Sequence, residues 1–284
     1  MSSNYISKIF GGKIVNKLLY IFLIVWAIIQ IFPLYWLITF SLKTNGEIFG
    51  GNLIGLPDKF LWGNYEKALV NANVGVYFMN SAIITGVTIA VTVLVSLMAS
   101  YALVRMKWKF RNTTLLLFMA GLMIPIHAAL LPVFLILRKI KLLDTYWALI
   151  LPYVAFAIPM AILILTSFMK SIPREIEEAA CIDGCSIYRI FFSIIVPILR
   201  PAVATISIFT FLQAWNELMF ATVFINKQAY KPLTVGIQSM AGKYATEWGP
   251  IGAALVIATI PTVIIYLLMS SQVHKSLTAG ALKG

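Results

Sequence analysis

A chain of 284 residues that is 61% hydrophobic and 11% charged, with a mean hydropathy of +0.91, carries more apolar side chain than one soluble core can enclose. An ordinary soluble domain is thereby excluded, and a membrane is the expected solvent. The net charge of +12 does not make a nucleic-acid binder, because the basic residues flank apolar runs and form no long cationic face.

Residues 1–17 are polar and basic, with Lys8, Lys13 and Lys17. No small-residue cleavage site ends the apolar run that follows, so it reads as an uncleaved first span and not as a signal peptide. Runs near the length of about 20 residues that crosses a hydrocarbon core occur at about 18–40, 76–104, 113–137, 146–169, 201–225 and 251–273. They are too long and too unalternating for barrel strands, and backbone groups in lipid must be bonded internally, so helices are predicted. The expected fold is all-α, a polytopic membrane helical bundle of six transmembrane helices. The spanning domain covers 18–273 between a segment at 1–17 and a tail at 274–284. Pro33, Pro125, Pro132, Pro152, Pro159 and Pro261 would remove backbone bonds and kink these helices.

An even number of spans puts both termini on one side. Placing them in the cytoplasm assigns 13 Lys and Arg to inner segments and nine to outer ones, the sign that the positive-inside rule requires. The strongest contribution is R-M-K-W-K-F-R at 105–111. His127, in the third run, has no in-span acid or metal motif beside it and reads as a packed or hydrogen-bonded helix residue. Cys181 and Cys185, four apart, with only His127 and His274 elsewhere, do not make a zinc set and read as free thiols. Neither a metal nor a catalytic constellation is expected.

The inner loop at 170–200 divides into two short helices. Pro173 suits a first helical position, and Glu175, Glu177 and Glu178 suit the positive end of that helix. Gly184 supplies a left-handed stop, and Ser186 can cap a second helix. In that second helix Ile187, Ile190, Phe191, Ile194, Ile195 and Ile198 share a face that would lie along the membrane surface as far as Pro197. On the first helix Ile176, Ala179 and Ala180 share a face of small side chains. That face suits either a solvated acidic loop or a docking knob that another surface approaches closely.

The order Glu178-Ala179-Ala180, three residues, Gly184, nine residues, then Ile194, a spacer, Val196 and Pro197 resembles the EAA loop of permease subunits in binding-protein-dependent ABC importers. Val196 stands where leucine is usual. The longer stretch I-P-R-E-I-E-E-A-A-C-I-D-G-C-S is similar to the carbohydrate branch that includes the maltose permease subunits, with Cys185 in place of a usual alanine. P-D-K-F-L-W-G-N-Y at 57–65, Y-F-M-N-S at 77–81, A-W-N-E at 214–217, K-P-L-T-V-G at 231–236 and L-T-A-G-A-L-K-G at 277–284 resemble that branch's second subunit, in the correct order over nearly the whole chain.

The resemblance implies a six-span permease half in a bacterial or archaeal cytoplasmic membrane. It would be paired with a homologous permease, two copies of a cytoplasmic ATPase and an external sugar-binding protein, with an oligosaccharide as cargo. This chain has no G-x-x-x-x-G-K-[ST] loop, so ATP and magnesium would be held by the ATPases and no cofactor by the chain itself. Glu177, Glu178, Ala179, Ala180, Asp183 and Gly184 would form the ATPase-coupling helix. The tail is either disordered, as short termini usually are, or enters the seam between the ATPases through Gly280 and Lys283.

In the fifth run Gln213, Asn216 and Glu217 fall at i, i+3 and i+4, and Phe220 and Ala221 continue the same face. At about 1.5 Å per residue from Pro201, Glu217 would lie roughly 24 Å along the helix, in the outer part of the membrane. Such a face suits a sugar path, with carboxylate and amides on hydroxyls and a ring on the apolar side. It equally suits bonds that hold neighbouring helices together. The competing functions are an importer permease for a non-sugar solute and an ion-coupled secondary transporter. Glu217 as the only acid inside a span weighs against the latter.

Overall fold

The computed structural model describes residues 13–242 and 246–281, and every regular element among them is a helix. In chain order these are α1 (Lys13–Ser41), α2 (Asn45–Phe49), α3 (Gly63–Glu66), α4 (Val74–Arg105), α5 (Arg111–Gly121) and α6 (Leu130–Lys139). Then follow α7 (Trp147–Lys170), α8 (Glu175–Ile182), α9 (Ile187–Ile198), α10 (Arg200–Trp215), α11 (Met219–Phe224), α12 (Leu233–Ser239) and α13 (Trp248–Ala281).

Four segments are long and apolar enough to cross a membrane as single helices: Val15–Ser41, Val74–Arg105, Trp147–Lys170 and Trp248–Leu268. The bent pairs α5 with α6 and α9 with α10 bring the number to as many as six. The third apolar run is therefore not the continuous helix expected at 113–137, because α5 and α6 meet at 94°. Pro125 is extended, at φ −63° and ψ 121°. It has no N–H to continue α5 and it pushes the residue before it out of helical geometry. Pro132 sits in the first turn of α6, where an N–H has no intrahelical partner to lose. His127, expected as a packed or hydrogen-bonded helix residue, is exposed in the short 3-10 turn Ile126–Ala129 between the two helices.

The chain divides into two compact units. The first runs to Asn71 and includes Ala241–Ile257. Its framework is polar. Lys43 is fully buried, and its Nζ donates to the carbonyl oxygens of Asn52 at 2.6 Å and Leu53 at 3.4 Å. Asn64 donates to the carbonyls of Ser41 and Lys43. Thr44 and Glu47 form a reciprocal capping box on α2, and the free oxygen of Glu47 accepts the Asp58 N–H at 2.7 Å. These contacts explain the P-D-K-F-L-W-G-N-Y stretch: its Asp58 ties a helix-poor loop to α2 and its Asn64 ties it to the end of α1, through backbone groups that would otherwise be orphaned.

The second unit comprises Ala72–Met240 and the chain from Ala258 onward. Its main packing is α4 along α7, with α10 against both. One face of α4 carries Thr85, Thr88, Thr92, Ser96 and Ser100, all buried. Their spacing of three or four residues keeps them in one row, and their small size lets helices approach closely. Apolar clusters occupy the two ends of this seam. One joins Leu97, Tyr101 and Val104 to Leu165, Met169 and Ile195. The other joins Ile84 to Leu149, Tyr153, Phe220 and Phe224.

Two outcomes follow from these contacts. A Cβ on Gly236 in α12 would fall 2.1 Å from Cδ2 of the buried Tyr77 ring. Gly236→Ala should therefore cost about 1–3 kcal/mol, read as a lower melting temperature of the detergent-purified chain; an unchanged melting temperature would refute the close approach. The Asp58 N–H, above all, holds the Glu47 carboxyl below its ordinary value. Because the folded value is depressed, the stabilisation is present above the unfolded value and disappears as pH falls through the folded one. The hydrogen-exchange protection factors of the Thr44 and Asp58 amides, which donate to the Glu47 carboxylate, should fall on acidification, and Glu47→Gln should abolish that loss.

Candidate functional site

The loop between α7 and α10 forms the two helices expected, with shifted ends. The first begins at Glu175, two residues after Pro173, and ends at Ile182. Gly184 adopts φ +78°. The Gly184 N–H donates to Cys181 O, and the Cys185 N–H to Ala180 O, which together close the last carbonyls in a Schellman stop. Ser186 then caps α9 by accepting the Arg189 N–H. Ile190, Phe191 and Ile195 bury the face predicted for α9, while Ile187 and Ile198 at its edges stay exposed. Cys181 and Cys185 are free thiols.

The acidic and small residues of α8 separate into two groups. Glu178, Ala179, Asp183 and Gly184 are exposed. Ala180 is buried, and it packs in the cluster that contains Tyr101 and Phe191. The close approach provided by its small side chain is thus used within this chain. Glu177 also faces inward: its Oε1 lies 2.6 Å from Nε of Arg105, and its Oε2 accepts from the Tyr101 hydroxyl at 3.1 Å. Sequence reasoning missed Arg105 and Tyr101. Arg105 was visible only as one of four cations at a span end, with nothing to pair it across 72 residues. On the outer side of α8, Ile182 is 86% exposed, and Ile176, Ile187 and Tyr188 are also exposed.

The continuous helical face expected on the fifth span does not form. Helix α10 ends at Trp215, with Asn216 as its C-cap, and α11 starts at Met219. Glu217 lies in the break, 9% exposed. Its carboxylate accepts from the Tyr153 hydroxyl at 2.6 Å, the Phe220 N–H at 2.8 Å and the Ala221 N–H at 3.1 Å. The acid therefore caps the short helix that follows it and bonds α7, satisfying donors that the break would leave bare. Phe220 is fully buried, against Phe156 and Phe224. Asn216 is exposed, and its amide donates back to Leu212 O. Gln213 lines a cavity of about 200 Å³ between α7 and α10, together with Met160, Phe209 and Thr210.

Two stretches noted separately in the sequence are partners in space. Asn80 donates to the carbonyls of Ala229 and Lys231 and accepts from the Tyr146 hydroxyl. Ser81 Oγ accepts the Leu233 N–H, and Gln228 donates to the Tyr77 hydroxyl. The Y-F-M-N-S and K-P-L-T-V-G stretches thus form one clamp at the end of α4 remote from Arg105. Of the tail residues, Gly280 falls within α13, and Lys283 lies outside the described residues.

Residues 92–278 match the family model described as the binding-protein-dependent transport system inner membrane component. The chain is 36% identical over 279 residues to the sulfoquinovosyl glycerol transport system permease protein of Agrobacterium fabrum, covering 98% of this chain and 97% of that one. It is 36% identical over 271 residues to the trehalose/maltose transport system permease protein of Thermococcus litoralis, covering 94% and 96%. The fold superposes on a chain of a bacterial ABC transporter involved in the import of the acidic polysaccharide alginate, with a TM-score of 0.80 and 22% identity over 93% of this chain and 96% of that one.

The three bonds accepted by Glu217 predict a structural phenotype. Glu217→Gln replaces one acceptor oxygen by a donor facing donors, and should destabilise by about 1–3 kcal/mol. Tyr153→Phe removes one of the same bonds, so the two changes should be non-additive in melting experiments. Loss of transport with undiminished protein and unchanged melting would contradict this role.

Proposed function

The chain belongs to the family of binding-protein-dependent transport system inner membrane components, and from that premise we propose that it forms half of a carbohydrate translocation pathway driven through α8 by a cytoplasmic ATPase. It is a multi-pass inner membrane permease subunit of an ABC importer, working with an ATPase and a binding protein. It is a transport subunit and not an enzyme; ATP hydrolysis belongs to the separate ATPase. Family membership sets aside the ion-coupled secondary transporter.

The partners are a homologous permease, two copies of the ATPase and an external sugar-binding protein. ATP and magnesium are held by the ATPases, and no cofactor is bound by this chain. Both termini are cytoplasmic, in keeping with the excess of basic residues in the segments on that side. The apolar window of α1 is 0% buried and α5 has no buried residue, which leaves apolar surface for lipid and a second permease. The tail reaches the seam between the ATPases.

The observation that carries the coupling role is the outer side of α8. Ile182 projects there beside Glu178 and Ala179 on a helix whose end is locked by Gly184, a contiguous apolar and acidic surface of the kind a partner covers. The Glu178 carboxylate, without a bond among the described residues, is available to a cation of the ATPase. For the path, the support is the cavity beside Gln213: Thr210 and Gln213 offer hydrogen bonds and Phe209 a ring, the combination that suits a sugar. Asn216 lies one turn further on. Glu217 and Phe220 support this surface from within. Carbohydrate as cargo is supported by relatives whose own names specify glycosides, with an oligosaccharide favoured.

A reconstituted complex tests both parts. Hydrolysis should rise when loaded binding protein is added, and uptake should require ATP and no ion gradient. Gly184→Val forces a branched residue into left-handed geometry at a cost of roughly 1–2 kcal/mol. No described atom of this chain lies within 4 Å of the position of its Cβ, so within the chain the effect comes from the backbone. Stimulated hydrolysis and uptake should fall roughly 5- to 30-fold at parental levels of inserted chain, and parental uptake would disprove docking through this helix.

A further inference from the structure

We propose that Arg105 and Glu177 are positioning residues that bolt α8 to α4, so that α4 carries the displacement of the docking helix across the membrane as a rigid rod. The proposal rests on the reading above that α8 docks on the ATPase.

Both oxygens of Glu177 face groups of this chain: Oε1 forms an ion pair with Arg105 Nε at 2.6 Å without the alignment of a hydrogen bond, and Oε2 accepts from the Tyr101 hydroxyl at 3.1 Å. The side chains of the pair are only 7% and 14% exposed. A charge so enclosed is costly to leave alone, so the pair stays closed when α8 is pulled. Arg105 is fixed at the same time by donating to Ile172 O at 2.8 Å, which ties in the chain just before α8. The Tyr101 ring packs edge-on against Phe191 of α9, with centroids 5.2 Å apart. Three successive pieces of the loop are thus gripped by the last two turns of one span. Glu177 and Glu178, adjacent in sequence, have different duties: the first faces the rod, the second faces outward.

The rod itself is suited to the task. Among the four single-helix spans, α1, α7 and α13 contain internal prolines, whereas the 32 residues of α4 contain none. An unbroken ladder resists bending, so displacement at Arg105 reaches Tyr77 roughly 42 Å away along the axis at about 1.5 Å per residue. There Tyr77, Asn80 and Ser81 hold the connection that leads to α12. Motion at the docking helix therefore arrives at the opposite end of the span as motion of that clamp.

The test uses the full complex in proteoliposomes, with two readouts. One is the ratio of hydrolysis with loaded binding protein to hydrolysis without it. The other is disulfide trapping of the exposed Cys181 to a cysteine introduced into the ATPase. Arg105→Gln and Glu177→Gln should each lower the ratio about tenfold while trapping persists. The exchange Arg105→Glu with Glu177→Arg should restore most of it. Tyr101→Phe, which keeps the packing and removes one hydroxyl, should give a smaller loss of about threefold and serves where the charge variants assemble poorly. A parental ratio in Tyr101→Phe and in either single charge variant would overturn the proposal, as would loss of trapping in the single variants, since the pair would then merely shape α8. Absence of trapping in the parental complex would instead overturn the docking reading, and this proposal with it.

Discussion

The face of α4 lined by Thr85, Thr88, Thr92, Ser96 and Ser100 is the seam on which the second unit depends. In lipid there is little hydrophobic force between helices, so association comes from how closely they can pack. Small side chains at every turn permit that closeness along α7 and α10. Among the described residues their hydroxyls have no hydrogen-bond partner. They contribute by being small, and the cost of burying them is accepted over half of the helix length. The apolar clusters at either end of the seam then supply dispersion where larger residues fit.

With the seam in place, α4 presents two polar ends with different tasks. At Arg105 and Tyr101 it holds the loop that carries α8. At Tyr77, Asn80 and Ser81 it holds the connection before α12. Both grips use partly enclosed side chains on backbone or charged partners, where each bond contributes more than at an exposed surface. The other spans are built differently. Prolines interrupt α1, α7 and α13, and the third and fifth runs are broken outright, which leaves α4 as the continuous helix among the described spans.

The breaks show how irregular backbone is accommodated at membrane depth. Such a break is viable only where protein satisfies the freed groups. At Glu217 a single carboxylate accepts two backbone N–H groups of α11 and the Tyr153 hydroxyl. An intramembrane acid that looks like a transport residue is here a helix cap, and the polar groups left facing the adjacent cavity are Thr210 and Gln213. At Pro125 the solution is a sharp turn, with Gly121 letting α5 lie against Pro159.

Solvent class, helical fold, the number of apolar runs and the punctuation of the α8 loop were all legible in the sequence, because each depends on local chemistry: run length against bilayer thickness, a glycine where φ is positive, a serine before a helix. The motif spacing was legible for the same reason. What tertiary structure alone decided is which way each polar group faces. Glu177 and Glu178 are indistinguishable by composition, and only the approach of Arg105 turns one inward. Glu217 and Gln213 share a face on an ideal helix, and the helix ends between them because a carboxylate with three donors in reach is more stable as a cap than as one more turn. The pairing of Asn80 and Ser81 with Lys231 and Leu233 likewise joins segments about 150 residues apart. Local rules cannot reach that far, since the free energy that selects such a contact comes from the packing of helices that lie between them in the chain.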